Sequence, residues 1–170
     1  MPNAITGIDD HLSLHLASAI RRSDSIRLIV SFVRESGARL LAPELKSAAQ
    51  RGASLRLLTG RYLSITEPSA LYCLMHELGT AIDMRFYNGS VEAFHPKAYI
   101  LDSGHEAEVF VGSSNMSRSA LTGGVEWNYR FTKAEHPDDY SKFSATFDTL
   151  FATFSEPVTR ELLKSYASAW

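Results

Sequence analysis

The length, composition and charge of the chain decide which classes of protein remain open. Its 170 residues, of which 45% are hydrophobic and 21% charged, are typical of one globular domain with a substantial core. Seventeen Lys and Arg against 19 Asp and Glu give a formal charge of -2, which excludes a nucleic-acid binder that relies on an overall basic surface. Any phosphate-binding surface must therefore be local.

The single cysteine and the hydropathy of the chain exclude further features. Cys73 alone cannot form an internal disulfide, and no Cys/His cluster has zinc-site spacing, so we expect no disulfide, metal or cofactor. No apolar run approaches the roughly 18 residues of a membrane span, and the first ten residues do not resemble a secretory leader. We therefore expect a cytoplasmic protein that does not bind membranes.

The first half of the chain alternates between strand and helix patterns. β-branched and aromatic residues predict three buried strands, at 25–33, 54–59 and 82–87. Helical spacing predicts helices at about 12–22, at 36–50 with Pro43 opening its second part, and from about 68. This βαβαβ order predicts an α/β fold, with a mixed, mainly parallel sheet flanked by helices on both faces.

The second half predicts shorter strands and two closing helices. The strands are expected at 97–101, 108–111 and 125–131, and the helices at 141–154 and 157–170. On the third of these strands, Trp127 and Tyr129 alternate with Glu126 and Asn128, so we expect the two aromatic rings to face the core. The last helix should dock through its apolar face, formed by Leu162, Leu163, Tyr166 and Trp170. We interpret residues 1–170 as one domain, either complete or the N-terminal fragment of a longer protein.

Chemically useful residues concentrate between positions 95 and 128. His95 and Lys97 are one residue apart, and Asp102 follows the lysine after five positions. A G-S-x-N turn at 112–115 comes directly after a predicted strand, and Glu126 lies about ten residues further on. Because an H-x-K pair alone can occur by chance, the interpretation depends on its combination with Asp102, the G-S-x-N turn and Glu126.

These residue types suit the cleavage of a phosphodiester without a metal. The neutral imidazole of His95 can act as nucleophile or, when protonated, as general acid. Lys97 supplies a cation, and the Asn115 amide and Ser113 hydroxyl supply hydrogen bonds to the phosphoryl oxygens. Because alternate residues of a strand share a face, we expect His95 and Lys97 to reach one phosphate. Glu126 is expected to accept a hydrogen bond from the far ring nitrogen of His95.

The combination H-x-K-x4-D and G-S-x-N resembles the motif of the phospholipase D superfamily. Segments 58–68 and 112–128 further resemble the phospholipase D-like domain at the N terminus of bacterial DEAD/DEAH-box helicase and restriction-type proteins. The resemblance implies a nucleic-acid substrate, DNA above all, and a phosphohistidine intermediate. It also implies structural roles for Asp102 and Gly112.

The number of motifs has a consequence for assembly. Members of the superfamily place two H-x-K motifs face to face, whereas this sequence has one. The resemblance therefore implies a homodimer in which His95 of each chain meets at a twofold axis. Arg118 and Arg61 are the arginines expected to contact the nucleic-acid backbone.

Three functions remain open at this point. The first is a metal-independent phosphodiesterase that cleaves DNA, associated with or fused to a helicase or restriction system. The second is a DNA-binding or dimerisation module of such a system with little activity of its own. The third is hydrolysis of a lipid or small phosphodiester, which the lack of an amphipathic membrane-facing segment disfavours.

Overall fold

An eight-stranded sheet organises the chain, of which the computed structural model describes residues 2–91 and 93–170. In chain order its strands are β1 (Ala4–Ile5), β2 (Ser25–Val30), β3 (Ser54–Thr59), β4 (Ile82–Tyr87), β5 (Lys97–Asp102), β6 (Ala107–Gly112), β7 (Asn128–Thr132) and β8 (Ser155–Pro157). The helices are α1 (Leu12–Arg22), α2 (Glu35–Gln50), α3 (Pro68–Leu78), α4 (Pro137–Thr153) and α5 (Arg160–Ala169). Across the sheet the strands run in the order β1-β7-β6-β5-β2-β3-β4-β8.

Parallel pairing is confined to β2, β3 and β4, the strands that α2 and α3 connect. The other five pairings are antiparallel. The mixed α/β class with helices on both faces is confirmed, but parallel pairs are the minority rather than the majority. The reason is that β5, β6 and β7 follow one another without a helical crossover, so the chain reverses at each turn.

Two apolar layers cover the two faces of the sheet. Leu28 and Val30 of β2 face the layer formed by α1, α2, α3 and α5, whereas Ile29, between them, faces α4. Successive residues of a strand point to opposite faces, so this alternation assigns the helices to opposite sides. Phe147 and Phe151 of α4 are buried against the second face. No helix among the described residues is long and apolar enough to cross a bilayer.

Several element boundaries differ from the sequence prediction. β2 ends at Val30, and the segment 31–34 leaves the sheet to meet the loop after β6, where Val33 forms a bridge with Met116. α2 continues through Pro43 instead of restarting there. β7 begins at Asn128 rather than at 125, because its ladder with β6 starts at the pair Gly112 and Asn128.

The docking of α5 follows the prediction. Leu163 is fully buried in the core. The Tyr166 hydroxyl donates to the carbonyl oxygen of Thr66 at 2.5 Å, and the Trp170 indole N–H donates to the carbonyl oxygen of Ser64. The C-terminal helix therefore holds the 60–67 segment at the end of β3.

Candidate active site

Apart from Asp102, the motif residues lie on segments that converge at one end of the sheet, where β2 ends, β5 begins and β6 ends. In the register, Val30 lies opposite Lys97, and Ala98 lies opposite Val111. Continuing the second ladder by one residue brings Lys97 beside Gly112. The G-S-x-N turn therefore begins next to the H-x-K segment although Gly112 comes 15 positions after Lys97 in the chain.

His95 lies outside the sheet, contrary to the prediction that it shares a strand with Lys97. β5 begins at Lys97 because Pro96 has no backbone N–H to add to the ladder. The Lys97 ammonium donates to the carbonyl oxygen of His95 at 3.0 Å, and the Ser31 hydroxyl donates to that of Pro96 at 3.3 Å. Side-chain tethers, rather than a shared strand face, keep the exposed His95 near Lys97.

Among the described residues, no carboxylate pairs with the side chains of His95 and Lys97. Within residues 2–91 and 93–170, neither His95 nor Lys97 forms an ion pair. The imidazole is exposed and the lysine is half-buried. An uncompensated cation beside an accessible imidazole suits an anionic ligand.

Asn115 presents a fixed amide to a cavity with a volume of about 740 Å³. Its side chain is 7% exposed, and its oxygen accepts the backbone N–H of Phe32 at 3.2 Å. Because the oxygen is engaged, the amide N–H groups are the donors left for a ligand. The loop that carries Asn115 packs tightly on α2: a Cβ on Gly37 would lie 2.3 Å from the Met116 carbonyl carbon.

The Ser113 hydroxyl links the loop after β6 to Glu126. It donates to the Glu126 carboxylate and accepts the backbone N–H of Trp127 at 3.0 Å. In the described part of the chain, Glu126 makes no hydrogen bond with His95, so the predicted pairing does not form within one chain. Ser113, Asn115 and Glu126 line the same cavity, and His95 lies outside its lining.

A buried tyrosine supports the loop that follows β6 and carries Ser113 and Asn115. Tyr99 of β5 is fully buried, and its hydroxyl donates to the carbonyl oxygen of Ser114 at 2.9 Å. Burial, and next the charge of Glu126, raise the pKa of Tyr99 far above its usual range. The hydroxyl therefore stays protonated and acts as a constant donor to the loop.

Asp102 lies at the far end of β5, about 17 Å from Lys97 along a strand that rises about 3.4 Å per residue. Its carboxylate accepts the Tyr140 hydroxyl at 2.9 Å and the Gly104 N–H at 2.7 Å. Burial first, and then this carboxylate, raise the pKa of Tyr140. Asp102 thus joins α4 and the β5–β6 turn to the sheet and does not contact the other motif residues.

Gly112 permits a close approach between β6 and the start of β7. A Cβ at this position would lie 2.2 Å from the Trp127 carbonyl oxygen and 2.7 Å from the Asn128 Cα. A larger residue would push apart the two segments that carry Ser113 and Glu126. The glycine therefore contributes to the site through packing.

The two arginines predicted to bind nucleic acid have different surroundings. Arg118 is exposed and lines the cavity that contains Asn115, and its guanidinium forms no ion pair within the described residues. Arg61 forms an ion pair with Glu156 and lies 5.3 Å from the centre of the Phe86 ring. The charge of Arg118 is available to a ligand, whereas that of Arg61 is largely compensated.

The prediction that Trp127 and Tyr129 face the core is wrong. Trp127 is 69% exposed and Tyr129 is 47% exposed. The inward position between them belongs to Asn128, whose amide nitrogen donates to the Ser114 hydroxyl at 2.9 Å. A buried polar contact thus replaces the apolar one expected from the alternation.

The sequence analysis also did not identify Tyr62 as a residue of the candidate site. Its ring lies 6.4 Å from the His95 ring, centre to centre, with an interplanar angle of 85°. The only sequence signal is its place in the loop that directly follows the buried strand β3. Loops at strand ends commonly carry functional side chains, which would have justified including it.

Comparisons with known proteins agree with this geometry. The sequence matches the family described as "Cardiolipin synthase, PLD-like domain" over residues 16–164. A search of curated proteins finds no match.

Three solved structures illustrate the likeness of fold. Nuc from Salmonella typhimurium, a phospholipase D family member, is similar with a TM-score of 0.70 and 19% identity, covering 92% of this chain and 98% of that one. NucT from Helicobacter pylori has a TM-score of 0.65 and 19% identity, covering 84% and 89%. Phosphatidylserine synthase from Haemophilus influenzae has a TM-score of 0.66 and 10% identity, covering 97% of this chain and 44% of that one.

The family match spans the strands that form the sheet end described above. It includes the H-x-K segment at 95–97, the G-S-x-N turn at 112–115 and Glu126. Structural likeness at such low identity shows the fold, and the sequence match shows the family. The chain belongs to the phospholipase D-like domain family, within the phosphodiesterase superfamily.

Proposed function

We propose that this protein is a metal-independent phosphodiesterase that cleaves DNA through a phosphohistidine intermediate on His95. One observation carries the proposal: the exposed imidazole of His95, the ammonium of Lys97, which forms no ion pair among the described residues, and the oriented amide of Asn115 lie on segments that converge at one end of the sheet. These are a nucleophile, a cation and a neutral donor, the set that phosphoryl transfer without a metal requires.

The reaction consists of two displacements. In the first, a ring nitrogen of His95 attacks phosphorus, and the P–N bond forms as the P–O bond to the leaving nucleoside breaks. The leaving oxygen takes a proton from the partner's His95. In the second, that imidazole removes a proton from water, whose oxygen attacks phosphorus and breaks the P–N bond. Lys97 and Asn115 stabilise the charge on the non-bridging oxygens in both steps.

This scheme needs two imidazoles, so we propose a homodimer. Apolar side chains beside Glu126 support a partner surface there: Val125 and Trp127, on either side of it, are both 69% exposed. Ile8, 74% exposed, adds to the same area, because Gly7 packs so closely that a Cβ would lie 2.9 Å from the backbone nitrogen of Glu126. An apolar patch next to a polar site is typical of an interaction surface.

DNA is the proposed substrate because the cavity that contains Asn115 is also lined by Arg118, a cation that forms no ion pair among the described residues. The hydroxyl groups of Ser36, Ser117 and Ser119 line the same cavity. These donors suit the phosphates that flank the scissile one. The resemblance of segments 58–68 and 112–128 further supports action in the cytoplasm beside, or fused to, a helicase or restriction enzyme.

The test is incubation of the purified protein with labelled single- and double-stranded DNA, RNA and a generic phosphodiester in EDTA. His95→Ala is the test variant, and His105→Ala, an exposed histidine in the β5–β6 turn, is the matched control. We expect cleavage by the wild type and the control and none by His95→Ala. Cleavage that survives His95→Ala, or that needs added metal, contradicts the proposal. Binding without cleavage supports the alternative, a DNA-binding module.

A further inference from the structure

A second cavity, with a volume of about 370 Å³, lies beside His95. Its walls include the rings of Tyr62, Tyr87 and Phe94, and it shares no lining residue with the larger cavity that contains Asn115. The rings of Tyr62 and His95 are nearly perpendicular, with their centres 6.4 Å apart. The cavity is therefore adjacent to the proposed nucleophile and chemically distinct from the polar cavity.

The aromatic walls differ in their availability to a ligand. Tyr87 and Phe94 are stacked on each other, with centres 4.6 Å apart and an interplanar angle of 15°. Phe94 is 7% exposed, whereas Tyr62 is 48% exposed. The stacked pair thus forms a fixed wall, and Tyr62 is the ring that can accept a planar partner.

The loop that carries Tyr62 has an unusual backbone. Leu63 and Ser64 have φ values of 55° and 54°, in the left-handed region that residues with a Cβ rarely adopt. A leucine in this region is energetically unfavourable unless its surroundings impose it. Leu63 itself is 72% exposed, so burial of its side chain does not explain the conformation.

Hydrogen bonds from distant parts of the chain impose that conformation. The Trp170 indole N–H donates to the Ser64 carbonyl oxygen, and the Tyr166 hydroxyl donates to that of Thr66 at 2.5 Å. The Thr66 hydroxyl in turn donates to the Gly60 carbonyl oxygen at 2.6 Å. The loop is thus held from both ends and from α5, which fixes the position of Tyr62 beside His95.

The charges around this cavity do not favour a phosphate. Among its described wall residues the one cation is Arg61, which is paired with Glu156 and lies over the Phe86 ring at 5.3 Å. The described lining otherwise consists of aromatic, glycine and aliphatic residues. The cavity therefore offers aromatic surface and tyrosine hydroxyls, which match a planar heterocycle with polar edges.

We propose that this cavity binds the nucleobase next to the scissile phosphate, stacked on Tyr62. The inference rests on the proposed function, in which His95 marks the position of that phosphate. A base that enters the cavity must leave the helical stack, so the preferred substrate is a single strand or an unpaired end. Stacking on an aromatic ring accepts all four bases, so the site contributes affinity and strand preference rather than sequence specificity.

Binding by the His95→Asn variant, which lacks the nucleophile, tests the base site apart from cleavage. Fluorescence anisotropy compares a short oligothymidylate with an abasic strand of the same length. We expect the base-bearing strand to bind about 5- to 100-fold more tightly. Adding Tyr62→Ala or Tyr62→Leu should remove most of this preference, because neither side chain has an aromatic face. Adding Tyr62→Phe, or Tyr72→Ala at a tyrosine on α3 that is 42% exposed, should preserve it.

The outcomes separate the base site from the proposed hydrolysis. Equal binding of the two strands, or a preference that survives both Tyr62→Ala and Tyr62→Leu, overturns the base site. A wild-type chain that cleaves no phosphodiester but shows a Tyr62-dependent preference for bases contradicts the hydrolysis and supports the base site. His95-dependent cleavage without any base preference overturns the base site alone.

Discussion

The Ser113 hydroxyl donates a hydrogen bond to the carboxylate of Glu126, 13 residues further along the chain. This bond joins the loop after β6 to the segment before β7 and sets the carboxylate at the rim of the larger cavity. Within one chain the carboxylate does not hydrogen-bond to His95. In the proposed dimer, we infer that Glu126 contributes to catalysis through its negative charge, which stabilises a protonated imidazole, in addition to its structural bond with Ser113.

Glu126→Gln separates the charge from the structural bond. The amide oxygen can still accept from Ser113, so we expect thermal stability to change little. The kcat for cleavage should fall about 100-fold, because a carboxylate that stabilises an imidazolium is lost. Glu106→Gln, at an exposed carboxylate in the β5–β6 turn, is the control and should change neither quantity. An unchanged kcat in Glu126→Gln would leave the residue a structural role only.

Gly37→Ala tests the contact between α2 and the loop that carries Asn115. The added Cβ would lie 2.3 Å from backbone atoms of Met116, so one of the two segments has to move. We expect unfolding in denaturant to show a loss of about 1–3 kcal/mol. Gly123→Ala is the matched control, because its Cβ would meet nothing within 4 Å. Equal stability of the two variants contradicts the close packing.

Arg118→Ala and Arg61→Ala distinguish a free charge from a compensated one. Each phosphate contact contributes about 0.7 to the slope of log affinity against log salt for single strands. We expect Arg118→Ala to reduce the slope by about that amount, whereas Arg61→Ala should reduce it much less because Glu156 already pairs with Arg61. Binding is measured over a salt series with His95→Asn. A larger effect from Arg61→Ala contradicts the assignment.

Trp127→Ser tests the proposed dimer surface. Sedimentation of the wild type should give a species of twice 18.8 kDa, and the variant should shift toward the monomer, because loss of the exposed indole removes apolar area from the contact. Leu14→Ser, at a leucine of α1 that is 74% exposed, is the control and should leave the dimer intact. A wild-type chain that sediments only as the monomer contradicts the composite site.

The sequence predicts the elements of the parallel unit well and the rest of the sheet less well. Strands 54–59 and 82–87 and the helix start at Pro68 have the predicted bounds, because each is marked by a buried apolar run or a proline at a helix start. β1 and β8, of two and three residues, are too short to show any periodicity. The proportion of antiparallel strand pairs depends on how the strands are connected along the chain. The composition of a strand does not reveal those connections.

The candidate site, like the fold, could be predicted from the sequence only in part. Motif spacing predicts that Lys97 and Asn115 serve one ligand, and the register of β5 with β6 brings their segments together. The position of His95 depends instead on a tether from Ser31 to the neighbouring Pro96, 65 residues away, and that of Tyr62 on a left-handed loop held by Trp170, more than 100 residues away. Such contacts join segments remote in sequence, so no local pattern predicts them.

The stereochemical course at phosphorus tests the central claim most directly. A phosphodiester whose two non-bridging oxygens are different isotopes is cleaved by the wild type in EDTA, in water that carries the remaining oxygen isotope, so that the monoester product is chiral and its configuration can be determined. Two displacements through phosphohistidine, each with inversion, predict overall retention. Inversion, which direct attack by water produces, would contradict the intermediate on His95, and so would a failure to cleave the substrate in EDTA.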